Sequence, residues 1–258
     1  MIYRIKNQFL EVLNEIEEYD QLIYGRFSQF QVKSDVVTAN YIKFNKNTVE
    51  LYINGDYKIL NNRIVKTDIY PIINNAIAYL INDENNMFIH AITVSKNNNG
   101  ILIVGDFGQG KTTLSQEFKK NGYEINSTDQ TWITVDSNNA YQKSGSSFDI
   151  QDGKIQFLDE CNFKKNIKID KIIQIIGLCD NGDSSCKIKS NKYHIIKNLA
   201  YFCNWNYFMP IFTDKIELYN TNKFVMYFLK QLVEKEIEVI DVRGDKCEIL
   251  KKVEGIKV

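Results

Sequence analysis

Proline is almost absent from this chain, with two occurrences, and histidine is as scarce. With Asn, Lys and Ile plentiful, that scarcity reads as a compositional bias of the coding sequence and not as mechanism. No charge is in surplus: Lys plus Arg number 32 and Asp plus Glu number 32. A balanced charge lacks the basic footprint expected of a nucleic-acid or anionic-membrane partner, so neither is expected here. No apolar run approaches the ~20 residues needed to span a bilayer. The first twenty residues carry Glu and Asp early and have no apolar h-region, which argues against a secretory signal. The five cysteines (Cys161, Cys179, Cys186, Cys203, Cys247) include no C-x-x-C pair and no zinc spacing. Reduced thiols in a cytoplasmic protein are the plain expectation.

What is present is an ordinary globular composition, 44% hydrophobic and 25% charged, over 258 residues. That length suits one large domain or two small ones with a sizeable core. Ile5, Phe9, Val12, Leu13 and Ile16 recur at helical spacing and predict a short amphipathic helix over residues 1–20. From 21 to 66 the pattern alternates, in Leu22–Phe30, Tyr41–Phe44, Thr48–Ile53 and Tyr57–Leu60, with Asn54-Gly55 as a hairpin signal. Residues 68–82 read as a helix, with Asp68 as N-cap and Pro71 in its first turn.

Strands are expected at Met87–Val94 and Gly100–Val104, joined by a polar turn at Lys96–Asn99. A helix to Asn121, a strand at Tyr123–Asn126, and further strands within 131–158 follow. The remainder reads as a strand at Lys171–Leu178, helices at Ser190–Phe202 and Thr221–Lys235, a strand at Glu238–Val242, and a weak helix or tail over 246–258. A division into 1–84 (N-terminal helix plus β-rich segment) and 85–258 is the expected organisation.

The chemistry sits in one contiguous run. Gly105-Asp106-Phe107-Gly108-Gln109-Gly110-Lys111-Thr112 fits G-x-x-x-x-G-K-[ST], and Thr113 follows. Glycines let successive backbone N–H groups turn inward onto phosphate oxygens. The helix opening at Lys111 adds free N–H groups and the positive end of its dipole. Lys111 would reach the β- and γ-phosphates, and the Thr112 hydroxyl would ligate Mg²⁺. The apolar run ILIV leads in and the helical run TTLSQEFKKNG leads out, which is the order this mechanism demands. ATP with Mg²⁺ is therefore the expected ligand.

The segment FIHAITVSKNNNGILIVGDFGQGKTTLSQEFKKNGYEINSTDQ resembles the catalytic core of HPr kinase/phosphorylase and its relatives. That pattern places a His on the strand before the loop strand, then the loop, a helix ending in Gly, and an acid seven residues on. Here these are His90, Gly105–Thr112, Gly122 and Asp129. Gly110-Lys-Thr-Thr-Leu-Ser115 is also similar to phosphoenolpyruvate carboxykinases. The close likeness spans residues 87–130, and a looser one continues through Ile172–Leu178 to IEVIDVRGD. The looser part resembles small kinase-like proteins linked to peptide-modifying systems.

The resemblance implies an α/β P-loop core of the HPr kinase/PEP carboxykinase type, with a mixed sheet and a small β-rich segment before it. It implies phosphate-binding by Lys111, metal ligation by Thr112 and Asp129, a phosphate-near role for His90, and proton abstraction by Asp129. Thr128 stands where the family usually has a first acid; Asp136, Asp149, Asp159 and Glu160 could supply a second carboxylate. The glycine-rich segment tied to phosphorylase activity is not evident, and the chain is shorter than a carboxykinase, so a small peptide or protein-serine kinase relative is implied.

Other residues carry less. A His in an apolar strand is ordinarily a packed core residue, and the resemblance is what lifts His90; His194 reads as structural. Arg243, at the end of a strand, could meet phosphate or an acidic peptide as readily as solvent. The run Lys164, Lys165, Lys168, Lys171 reads as a wet face. Trp132, Trp205 and Tyr201–Phe212 read as core. The expected reaction is transfer of the γ-phosphoryl group of ATP to a hydroxyl of a peptide or protein. The rivals are a non-catalytic nucleotide-binding accessory protein, a small-molecule kinase, and, more weakly, a switch GTPase, which lacks a convincing N/T-K-x-D run. Homo-oligomerisation is left open.

Overall fold

The structure is a computed structural model that describes residues 1–33, 38–60, 65–151, 154–157, 166–178, 185–188, 199–203 and 215–255. Its first sheet is six-stranded, in the order β3-β1-β2-β4-β5-β6. The strands are β1 (Ile2–Ile5), β2 (Gln8–Asn14), β3 (Gln31–Val32), β4 (Asn40–Phe44), β5 (Val49–Ile53) and β6 (Asp56–Leu60). All its pairings are antiparallel except β2 with β4. The expected N-terminal helix is thus a hairpin. Tyr3, Ile5, Leu10 and Val12 alternate into the core, and the chain reverses at Lys6-Asn7, where Lys6 takes a φ of 54°. Leu22–Phe30 departs from expectation too. It takes in most of helix α1 (Asp20–Gly25) and a single 3₁₀ turn, Ser28–Phe30. The Asn54-Gly55 hairpin forms as read, both residues at positive φ.

Helix α2 (Lys66–Ile81) packs Ile69, Ile73, Ala76, Ile77 and Ile81 onto that sheet. Asp68 is not its N-cap. It lies in the first turn and its carboxylate accepts from the Val65 amide at 2.9 Å.

The second sheet is eight-stranded, in the order β11-β10-β7-β8-β14-β16-β15, with β9 beside β7. Its strands are β7 (Asn86–Lys96), β8 (Asn99–Val104), β9 (Glu124–Ser127), β10 (Gln130–Val135), β11 (Ala140–Gly145), β14 (Ile167–Leu178), β15 (Ser185–Ile188) and β16 (Glu238–Gly244). A separate hairpin pairs β12 (Phe148–Gln151) with β13 (Lys154–Phe157). β7 and β8 are buried almost throughout, as central strands covered on both faces must be. One face packs Leu102, Val104 and Ile172 under α4 (Lys215–Val233) and the helical residues 199–203. The other packs Ile103, Ile173 and Val242 under α3 (Lys111–Lys120) and α5 (Lys246–Glu254). The result is a layered mixed α/β arrangement.

β8, β14 and β16 run parallel, so their carboxyl ends emerge on one side. Such ends are where open α/β sheets hold ligands. Ser190, His194, Trp205, Asp159, Glu160, Lys164 and Lys165 lie outside the described residues.

Candidate functional site

β8 ends at Val104 and the chain turns through Gly105–Gly110 into α3. Gly108 and Gly110 take φ of 75° and 95°. A Cβ on Gly110 would stand 2.5 Å from Leu178 Cδ1 at the end of β14, so glycine is required there twice over. Asp106 ties the loop internally: its carboxylate accepts from the Phe107 amide at 2.7 Å, and its carbonyl from the Gln109 amide at 3.2 Å. Gln109 Oε1 accepts from the Asp106 amide at 2.7 Å. The amides of Gly108, Gly110, Lys111, Thr112 and Thr113 meet no acceptor among the described residues. They are free N–H groups at a glycine turn and a helix N-terminus, the arrangement that favours an anion.

Lys111 is only 8% exposed. Its Nζ donates to the Gly105 carbonyl at 2.8 Å and to the Asp106 carbonyl at 3.3 Å, and lies 2.9 Å from His90 Nε2. Burial lowers its pKa below the ordinary lysine value, while the Asp129 and Asp106 carboxylates pull it back up. An ammonium has only donors, so His90 Nε2 accepts and Nδ1 carries the ring proton. That Nδ1 faces Asp129 Oδ1 at 3.5 Å. His90 is 3% exposed, and burial lowers its pKa, with Asp129 opposing and Lys111 reinforcing the shift.

Asp129 lies between β9 and β10, its carbonyl accepting from the Ala91 amide at 3.0 Å. The hydroxyl of Ser146 accepts from the amides of Asp129 and Gln130, at 3.1 and 2.9 Å. Tyr70, from α2, donates its hydroxyl to Asp129 Oδ2. Burial, then the Asp129 charge, raises the Tyr70 pKa well above its ordinary value. The contacts therefore form a series, Lys111–His90–Asp129–Tyr70, reaching from the loop to the first sheet's own helix. Thr128 takes no charged role: its hydroxyl donates to the Ser146 carbonyl at 3.2 Å and accepts from the Phe148 amide at 3.1 Å.

His90, Phe107, Gly108, Lys111, Thr112 and Asp129 line one cavity of about 300 Å³, with Thr128 and Phe148 among its other walls. That volume is at the lower end for small-molecule sites. Phe107 is 84% exposed at the loop tip. Tyr201, read as core, is exposed instead and donates to Asp106 Oδ1 at 3.2 Å. Trp132 is partly buried and stacks on Phe30.

Asp136 is not near the site. It caps the β10–β11 turn by accepting from the Asn138 and Asn139 amides, a strand length away from Asp129. Asp149 lies in β12, and its side chain is outside what the structure describes. Arg243 is exposed at the carboxyl end of β16 but is not among the residues lining the cavity. Lys168 and Lys171 stand toward the opposite end of the sheet, paired with Asp170 and Glu238. Tyr70, Ser146 and Phe148 were not legible as site residues, because no motif links them to the loop.

No family model matches the chain, and no curated protein matches it. Among solved structures, the chain is similar to the Hpr(Ser) kinase/phosphatase from Coxiella burnetii, at 13% identity and a TM-score of 0.37, over 66% of this chain and 92% of that one. A likeness of that size leaves function to be read from the site itself. No helix among the described residues is long and apolar enough to cross a membrane.

Proposed function

We propose that this chain is an ATP-dependent kinase that transfers the γ-phosphoryl group to a hydroxyl, most simply a Ser of a peptide or protein. One observation carries the reading. The buried Lys111 ammonium and the five free amides around it open onto the same cavity as Asp129. Lys111 and the amides of Gly108, Gly110, Lys111, Thr112 and Thr113 bind the phosphates, with the rest of Gly105–Thr113 shaping the loop. Thr112 and Asp129 suit Mg²⁺, which takes few protein ligands and keeps phosphate and water oxygens. Among the described residues no cluster of three His, Cys, Asp or Glu side chains could hold a metal alone, so the ion would arrive with the nucleotide. When bound, it would neutralise charge on the β- and γ-phosphates.

Asp129 orients the acceptor hydroxyl and takes its proton as the acceptor oxygen bonds to the γ-phosphorus and the bond to the β-phosphate oxygen breaks. Neutral His90 holds Asp129 and Lys111 at a fixed separation. Catalysis of this type is mainly positioning and charge stabilisation, which these few groups can supply. We also read the chain as two units, dividing near residues 84 and 85.

Calorimetry with ATP and Mg²⁺ tests the loop. Lys111→Ala should weaken binding by about 10- to 100-fold, the scale of a lost charge-assisted contact. Unchanged affinity removes the assignment. Asp129→Asn should keep ATP affinity and lower phosphoryl transfer by about 10²- to 10⁴-fold. A second reading, a nucleotide-binding accessory without transfer, is favoured by one feature: Tyr70 and His90 already engage both Asp129 oxygens. Labelled γ-phosphate appearing on candidate peptides or in a lysate decides against it.

A further inference from the structure

Among the described residues, the Arg26 guanidinium meets no hydrogen-bond acceptor. Arg26 follows α1, and its guanidinium carbon lies 3.7 Å from the centroid of the Tyr70 ring and 3.7 Å from that of Phe148. The two rings meet edge to face, 6.2 Å apart, so the guanidinium fills the corner between them. An arginine stacked this way has a dry plane, while its five N–H donors point outward along the edges. Here those edges donate to no carboxylate, carbonyl or hydroxyl among the described residues. Asp129 acts on Arg26 only through space. Burial lowers the Arg26 pKa, and the nearby Tyr70 and Asp129 oppose that shift.

A half-buried charge with unfilled donors is costly unless something completes it. The position says what. Phe148, which holds one face of Arg26, lines the cavity together with Asp129. The series of contacts runs Lys111–His90–Asp129–Tyr70–Arg26, with the loop lysine at one end and Arg26 at the other. A molecule whose hydroxyl stands at Asp129 shares the cavity with Phe148, and Arg26 lies directly behind that ring, at the end of the series opposite the loop lysine.

We propose that Arg26, clamped between Tyr70 and Phe148, binds an oxyanion, a carboxylate or phosphate, borne by the acceptor close to its hydroxyl. Only the word acceptor rests on the kinase reading; the oxyanion site stands on the clamp itself. A guanidinium edge matches either anion with two parallel N–H···O bonds. The acceptor would then be an acidic one: a peptide with Asp, Glu or a phosphorylated residue beside its Ser, or a small hydroxy acid.

Nuclear magnetic resonance on the ¹⁵N-labelled full chain tests this, with the glycine loop first filled by a non-hydrolysable ATP analogue and Mg²⁺. Inorganic phosphate and acetate are then titrated separately while the Arg26 Nε–H resonance is followed. The expected result is a saturable shift with at least one anion, and the stronger arm identifies the headgroup. Arg26→Gln should abolish the saturable response at the Phe148 amide and leave analogue affinity within about twofold. Arg26→Lys, which keeps the charge but not the fork, should weaken the anion about tenfold. A resonance unmoved by both anions overturns the proposal and makes Arg26 a staple between two rings. A Phe148 response that survives in Arg26→Gln also overturns it, because the anion then sits elsewhere. Failure of the analogue to bind counts against the kinase reading alone, since the Arg26 signal is read independently.

Discussion

His90 is held neutral by its surroundings, and that has a measurable consequence for stability. Burial and the neighbouring Lys111 disfavour its protonated form, and Asp129 offsets them only in part. Its folded pKa therefore lies below the ordinary value of 6.5. Between the folded and unfolded values the unfolded chain binds more protons, so stability must fall as the pH drops beneath about 6.5. His90→Gln, which cannot charge, should remove that component of the acid loss. Thermal melts of both proteins between neutral and mildly acidic pH give the difference directly; parallel curves would show that the imidazole titrates as it does in water. Tyr70 acts in the opposite direction. Its raised pKa keeps the phenol protonated in the fold, so its contribution is complete below pH 10 and is lost as the pH climbs past that value.

At the level of elements, the β7–β8 hairpin aims the glycine loop. Its two-residue turn, Asn97-Asn98, takes φ of 54° and 66°, the left-handed region that a type I′ turn needs. Asn tolerates this region and Ala does not, so Asn98→Ala should cost about 1 kcal/mol, read as a lowered urea midpoint with an unchanged slope. This turn was legible in the sequence because its chemistry is local, and so was the glycine loop, where strand, turn and helix are contiguous. Residues 1–20 were misread for the complementary reason. Phe9 and Ile16 sit at helical spacing from Ile5 and Val12, yet the buried set is Tyr3, Ile5, Leu10 and Val12. That alternation breaks at Lys6-Asn7, and only pairing with β3 and β4 selects it. The support for Asp129 was hidden by distance along the chain. Tyr70 is 59 residues from Asp129, and in the sequence it is just one more aromatic in an apolar helix.

Across the whole molecule, the two sheets share a seam of aromatic contacts reinforced by a few buried hydrogen bonds. Phe30 stacks on Trp132 of β10 and meets Phe88 of β7 edge to face, while Phe27 stacks on Tyr70. Gln29 reaches across to the Asn126 carbonyl at 3.0 Å, and the Ser28 and Ser147 hydroxyls bond to each other. The same seam delivers Tyr70 to Asp129 and sets Arg26 against Phe148, a residue of the cavity wall, so elements of both sheets meet at the site. A seam this well packed and bonded should couple their unfolding. Phe30→Ala removes a ring 2% exposed and should destabilise by about 3–5 kcal/mol, a large share of a domain's ordinary total. Urea unfolding followed by far-ultraviolet circular dichroism and by tryptophan fluorescence checks both points. Coincident transitions that shift together in Phe30→Ala are expected. Two separated transitions, only one of them moved by the substitution, would mean that each sheet stands alone. The first sheet's helix would then be an optional support for Asp129, and not part of what makes the site.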